Sequence, residues 1–323
     1  MKNITKSYPF AKKNISKIIF VSGNTRSGKV LVLKIIASLK GIEKVNVNFL
    51  MEQANFLTHT NDISKKAAVY FLRRSFSILD YNLKIGREIN FRKKDYTSIY
   101  NYRKPERYKN NLKINEGDNV IQILKKEKNI IPLMVHNGLL NTNLFDAFDN
   151  LIFFEMIRNP ISTIFSWLNK GYDDKFYNSY RASCLTLKYK NKIIPYYAYG
   201  WESKYLKSNK YERIIEMLLI LEKQKEKTLK KLSKTQRNKI FYIKLEKLHT
   251  DPNIVLNKIE KILKKKKTVY TNKIFKNERL PREGDLYDIE IKKKIIKKKI
   301  SISYYKKLLF LEKKYLKNYN YIK

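Results

Sequence analysis

The chain's 323 residues, 43% of them apolar, can fill a sizeable core in one large α/β domain or two smaller ones. Lys and Arg number 70 against 29 Asp and Glu, a formal charge of +41; the basic residues run the whole length alongside abundant Asn and Ile, which marks a compositional bias more than a dedicated polyanion surface, and no nucleic-acid partner is expected. Cys184 is the only cysteine, which excludes an intramolecular disulfide and a Cys-based zinc site.

The N-terminal residues MKNITKSYPFAKKNISK lack the apolar core of a signal peptide. No apolar run approaches the ~18 residues needed to span a bilayer, so a cytoplasmic protein without a transmembrane segment is expected. Short apolar runs at 18–21, 45–50, 130–135, 151–157 and 240–245 read as buried strands. Helical patterns lie between them, at 30–39, 67–80, 119–128, 160–169, 211–232 and 253–265. Strands alternating with helices predict an α/β fold, a parallel sheet flanked by helices in a three-layer, P-loop-like sandwich. Asn159-Pro160 and Asp251-Pro252 each place a capping side chain before a proline at the first helical position. The whole chain, 1–323, reads as one domain. Within it, 51–117 and 171–208 are expected to be irregular segments beside the ligand edge of the sheet, and 288–320 a basic C-terminal helical segment packed by its apolar face. Cys184 reads as a small buried hydrophobe, and His59, His136 and His249 are too scattered for a His-rich metal site.

Two stretches carry chemistry. IFVSGNTRSGKVLVL, residues 19–33, reads strand, glycine turn, helix, the layout of a loop that cradles phosphate. Gly23 to Lys29 fit G-x-x-x-x-G-K-[S/T] except at the last position, where Val30 replaces the hydroxyl that holds magnesium. FFEMIRNPISTIFSW, residues 153–167, delivers Arg158 at a strand end, and Ser166 follows two helical turns later. A guanidinium and a hydroxyl beside a helix start suit a second phosphate; an ion-paired Arg and a core-facing Ser are the plainer alternative.

Together the two stretches resemble the PAPS-dependent sulfotransferases. The family's first motif, which holds the 5′-phosphosulfate of 3′-phosphoadenylyl sulfate (PAPS), matches Arg26, Ser27, Gly28, Lys29 and Val30. Its second motif, which binds the 3′-phosphate, matches Arg158 and Ser166. Residues 239–263 resemble the family's strand, Glu, Leu, Asp-Pro and helix order, and REGDLYDI at 282–289 is similar to a late segment that closes over the donor, adding Arg282 and Gly284. The resemblance implies sulfuryl transfer to an acceptor hydroxyl without a metal, so the missing hydroxyl at Val30 is no defect. It also implies that His136, which follows an apolar strand, is the general base; Glu52 is the rival. Arg26 stands where many members have lysine and would act by electrostatic stabilisation. Lys29 and Val30 replace a Thr pair, and Lys29 would supply a charged contact instead. The tyrosine-rich segments would suit a saccharide acceptor. Two other readings remain: a P-loop kinase or NTPase, and a non-enzymatic protein that binds polyanions or nucleic acid.

Overall fold

The computed structural model describes residues 15–171, 184–283 and 288–319. The first half of the described chain runs β1 (Lys17–Gly23), α1 (Lys29–Ser38), β2 (Asn46–Val47), α2 (Phe49–His59), α3 (Lys65–Lys84), α4 (Pro105–Asn111), α5 (Asp118–Glu127), β3 (Ile130–Met134), α6 (Asn143–Ala147), β4 (Leu151–Ile157) and α7 (Pro160–Leu168). The second half runs β5 (Thr186–Tyr189), β6 (Lys192–Pro195), α8 (Glu202–Lys207), α9 (Lys210–Lys231), α10 (Lys234–Arg237), β7 (Ile240–Lys244), α11 (Leu245–Thr250), α12 (Pro252–Leu263), α13 (Val269–Asn277), α14 (Ile289–Lys297) and α15 (Ile302–Tyr319).

Five strands form one parallel sheet in the order β2-β3-β1-β4-β7, and β5 and β6 form a separate antiparallel hairpin. The central strand shows why these residues choose a covered sheet. Ile19 and Val21 pack into a core with α1 and α12, while Ile18 and Phe20 pack into another with α3 and α6. A strand buried on both faces reads as a continuous apolar run, as β1 does. Chain connections leave β1 toward β2 on one side and later reach β4 on the other. The carboxyl end of β1 is therefore the switch point where α/β sheets open a ligand crevice.

The expected strands and helices are present, with two departures. Of the run 45–50, only Asn46 and Val47 pair with β3, because Asn48 caps α2: its Oδ1 accepts the Met51 amide at 3.2 Å. Asn159 caps α7 as expected, accepting the Ile161 amide at 2.9 Å. Asp251 does not cap α12; its carboxylate is drawn 2.5 Å from Lys247 on the preceding helix.

The segment 51–117 is helical over α2 and α3, and two of its later tyrosines anchor on residues before β2. Tyr108 bonds the Glu43 carboxylate, and Tyr102 bonds the Ile42 carbonyl. Glu43 donates its amide to Ile130 at the start of β3, which places this anchor at the amino edge of the sheet. Within 171–208, Tyr196 and Tyr197 are buried in a core shared with α7, α9 and α15. Burial pushes the Cys184 thiol up to about 12, consistent with a packed, unreactive cysteine.

Two glycines are dictated by this architecture. Gly28 has φ of +91°, and a Cβ there would lie 2.5 Å from Leu245 Cδ1 on α11; at Gly23, φ is +135° and a Cβ would meet the Met156 carbonyl at 2.7 Å. Gly28→Ala is expected to lower stability by roughly 2 kcal/mol or more, from the left-handed backbone and the Leu245 clash together. Thermal unfolding of the variant measures this; an unchanged midpoint would show that the loop relaxes freely.

Candidate active site

Three loops meet at the carboxyl edge of the sheet, after β1, β3 and β4. The loop 24–28 between β1 and α1 turns through Arg26, whose φ of 66° is left-handed and costs a non-glycine residue about 1 kcal/mol or more. Three contacts hold that turn. Arg158, immediately after β4, donates through Nη1 to the Arg26 carbonyl at 2.7 Å. Trp167 on α7 donates its indole N–H to the Thr25 carbonyl at 2.7 Å. Arg26 in turn donates through Nε to Ser166 Oγ at 3.2 Å. Two motifs 132 residues apart in sequence are thus one structure.

The cations of this site differ in exposure. Arg26 is exposed to solvent. Lys29 is only 4% exposed, and its ammonium donates to the carbonyls of Gly23 and Asn24 at 2.9 and 2.7 Å. Burial lowers the Lys29 pKa to about 7, and the negative charges of Glu52 and Glu155 limit the drop. No side chain caps the first turn of α1, which follows directly on Gly28. Its N–H groups and positive dipole end therefore face the same crevice as the two motifs. The Ser27 amide is turned inward to the Asn24 carbonyl at 3.2 Å.

The side chains of Ser27 and Val30 take different places from Arg26. Ser27 is buried and lines a cavity of about 40 Å³ behind the loop, with Glu155 and Lys225. Val30 packs against the core shared by α1 and α12. Glu155, the acid on β4 closest to the loop in sequence, is buried 3.4 Å from Lys225. Burial raises its pKa, and Lys225 and a hydrogen bond from Ser22 oppose the rise.

The two sequence candidates for a base are in contact. Glu52 Oε1 accepts both the backbone amide and Nδ1 of His136, each at 2.9 Å. The His136 side chain is 21% exposed and that of Glu52 1%, so the imidazole is the accessible group and the carboxylate lies behind it. An ionised Glu52 can only accept, which puts the ring proton on Nδ1 and leaves the Nε2 lone pair outward. Next to it, Asn137 donates to the hydroxyl of Tyr196 at 2.8 Å, and Tyr196 stacks on Phe56 with ring centroids 4.2 Å apart.

Arg282 is placed elsewhere. It bonds His249 on α11 twice, through its amide to the carbonyl and through Nη2 to Nε2, each at 2.8 Å. Gly284 lies outside the described residues. Two residues that sequence reading gave no role support the site. Trp167 holds the loop as described. Glu246 accepts the Asn159 amide through Oε1 at 2.7 Å and the Tyr315 hydroxyl through Oε2 at 3.0 Å. Both occur inside motif segments already singled out, but their partners could be read only in three dimensions.

No family model and no curated protein sequence matches the chain. Among solved structures, the chain is similar to the sulfotransferase domain of the Synechococcus PCC 7002 olefin synthase, at 12% identity, covering 94% of this chain and 96% of that one, with a TM-score of 0.45. It is also similar to the sulfotransferase STF9 from Mycobacterium avium, at 10% identity over 94% of this chain and 77% of that one, with a TM-score of 0.45.

The His136–Glu52 contact makes a prediction that needs no substrate. Long-range proton–nitrogen NMR spectra are expected to show neutral His136 mainly as the Nδ1–H form. Glu52→Leu, which removes the acceptor, is expected to shift the population toward Nε2–H. Identical tautomer populations in the two proteins would refute an orienting role.

Proposed function

We propose that the protein transfers a sulfuryl group from PAPS to an acceptor hydroxyl, in line and without a metal ion, in the cytoplasm. The observation that carries the reading is the contact chain from Arg158 to the Arg26 carbonyl and from Arg26 to Ser166. It joins the two phosphate motifs on one edge of the sheet, as a single donor phosphorylated at both ends requires. Lys29, Arg26 and the uncapped start of α1, with the backbone from Gly28 to Val30, hold the phosphosulfate. Arg158 and Ser166 hold the 3′-phosphate.

His136 accepts the acceptor's proton at Nε2 as its oxygen attacks sulfur. The bond from sulfur to the bridging phosphate oxygen breaks, and that oxygen leaves on adenosine 3′,5′-bisphosphate. Glu52 stabilises the imidazolium that forms, and Arg26 the charge on the sulfuryl and bridging oxygens. The leaving phosphate tolerates its negative charge, so the permanently protonated Arg26 need not donate a proton. Tyr199, 40% exposed and three residues after the buried Tyr196, offers a ring face that suits a saccharide. A magnesium-dependent phosphotransferase is less well supported, because Val30 faces the core and the Glu155 carboxylate is committed to Lys225.

Two measurements test this reading. Calorimetry is expected to detect adenosine 3′,5′-bisphosphate binding with magnesium absent. Arg158→Ala should weaken it roughly tenfold to a hundredfold, the worth of a charge-assisted contact. His136→Asn should keep that binding and lose transfer of labelled sulfate to a mixed hydroxyl panel. Binding unaffected by Arg158→Ala, or seen only for magnesium ATP, would overturn the proposal.

The second measurement uses pH. In the free protein Lys29 is ammonium below about 7 and increasingly neutral above it. A bound phosphate favours the ammonium and raises this pKa, so binding above pH 7 takes up a proton. Affinity should fall as pH rises, by up to about tenfold per unit, and level off below 7. Lys29→Met should abolish the slope and lose the affinity present at low pH. Heats measured at pH 8 in buffers of different ionisation enthalpy report the proton directly; buffer-independent heats would contradict this role.

A further inference from the structure

The most unusual surface of the molecule lies on its C-terminal helices. One face of α15 is buried through Tyr304, Leu308, Leu311, Tyr315 and Tyr319. The opposite face carries Ile302, Lys306, Leu309, Phe310, Lys313, Leu316 and Lys317, all exposed. Ile302 is 80% exposed, Phe310 58% and Leu316 45%. These residues recur at the helical period and form one stripe along the helix. The neighbouring helix α14, tied to α15 by the Lys293–Glu312 ion pair at 2.6 Å, exposes Ile291, Lys294 and Ile295, with one exposed carboxylate, Glu290, in its first turn.

A general lysine bias does not account for this face. The long helix α9 has a conventional solvent side, where the exposed residues are Lys210, Lys223, Glu226, Lys227, Lys230 and Lys231, with no apolar member. On α15 the lysines alternate with large apolar side chains, and the exposed stripe contains no carboxylate. Its glutamate, Glu312, is only partly exposed and is engaged by Lys293. From Ile289 to Tyr319 there are 11 lysines and two glutamates. Among the described residues no ion pair engages Lys306, Lys313 or Lys317.

We propose that the exposed face of α15, extended by α14, docks the protein on an anionic lipid bilayer, with Leu309, Phe310 and Leu316 entering the interface and Lys306, Lys313 and Lys317 meeting the headgroups. Charge complementarity selects the occupant. An apolar stripe alone would suit a second copy of the chain, but that copy would bring the same uncompensated lysines against these. A polyanion such as RNA would satisfy the lysines and leave the apolar side chains in water. An anionic membrane surface satisfies both. Among the described residues no helix is long and apolar enough to cross a membrane, so the contact is one of lying on the surface. This inference does not depend on the reaction proposed above.

Flotation of the full chain with vesicles tests it, using pure phosphatidylcholine and a mixture containing about one-third phosphatidylserine. The protein is expected to bind the anionic vesicles and largely ignore the neutral ones. The triple change Leu309→Ser, Phe310→Ser, Leu316→Ser should reduce binding more than about tenfold. Replacing Lys306, Lys313 and Lys317 by Ser should weaken it roughly fivefold per lysine. All six positions face solvent, and circular dichroism with thermal melts confirms that each variant folds. Absence of binding to anionic vesicles overturns the proposal. So does binding that the apolar variant retains, which would mark a purely electrostatic polyanion surface. Sedimentation velocity showing a dimer that the apolar variant dissolves, without vesicle binding, would assign the face to a second copy.

Discussion

The loop after β1 depends on being held from outside itself. Arg26 is the one residue of that loop, apart from Gly28, in a left-handed conformation. Nothing local favours it, and the cost is met by tertiary contacts from the β4–α7 corner. The Arg158 guanidinium on the Arg26 carbonyl is charge-assisted, the stronger kind of hydrogen bond. The Trp167 contact adds a buried aromatic body and uses its only polar donor. The same turn aims the Arg26 side chain at Ser166. A substitution in α7 therefore acts on a loop more than a hundred residues earlier, and the geometry that receives an anion is set by how well β4 and α7 are themselves placed.

That placement rests on buried charge. Behind the loop, Lys225 of α9 lies between Glu155 on β4 and Glu222 on its own helix, at 3.4 and 3.7 Å, and also faces the Tyr319 ring at 5.2 Å. Its pKa is raised well above normal, because the two carboxylates outweigh desolvation. A buried ion left without its partner typically costs about 3–5 kcal/mol, so this cluster fixes β4, α9 and α15 relative to one another. Glu246 extends the arrangement. Its two oxygens join the Asn159 amide, at the start of α7, to the Tyr315 hydroxyl of α15. The C-terminal helix thereby supports the corner that supports the loop.

The sheet and most helices were legible because their signals are local. A strand buried on both faces shows as an unbroken apolar run, and the six longer helical patterns show their period. The two stretches singled out as candidate phosphate motifs were legible as folds for the same reason, each being a short strand-turn-helix unit. The run 45–50 was misread as a full strand because Phe49 and Leu50 look like core residues, whereas Asn48 caps a helix and leaves them largely exposed. The Asp251 cap failed through competition from Lys247, one turn earlier on α11. Glu52 and His136 entered as rivals because 84 residues separate them; only the fold shows one behind the other. The segment holding Tyr102 and Tyr108 gave no sign of which sheet edge it would cover, since its anchors at Ile42 and Glu43 are themselves ordinary in sequence.

Glu52 connects the two halves of the candidate chemistry. It is the larger of the charges that keep the buried Lys29 ammonium from a deeper depression, and it is also the hydrogen-bond acceptor behind His136. One carboxylate thus serves a cation in the loop and an imidazole after β3. Charge brought near Lys29 changes what Glu52 has to neutralise. Below about pH 7, where Lys29 is already an ammonium, a phosphate in the loop takes over part of that task from Glu52. The carboxylate is then better able to stabilise an imidazolium at His136, which is the state reached when the ring accepts a proton. The coupling is Coulombic and acts through groups with little access to solvent, so it is only weakly screened. Under the proposed reaction, it favours proton abstraction after the donor has entered and not before.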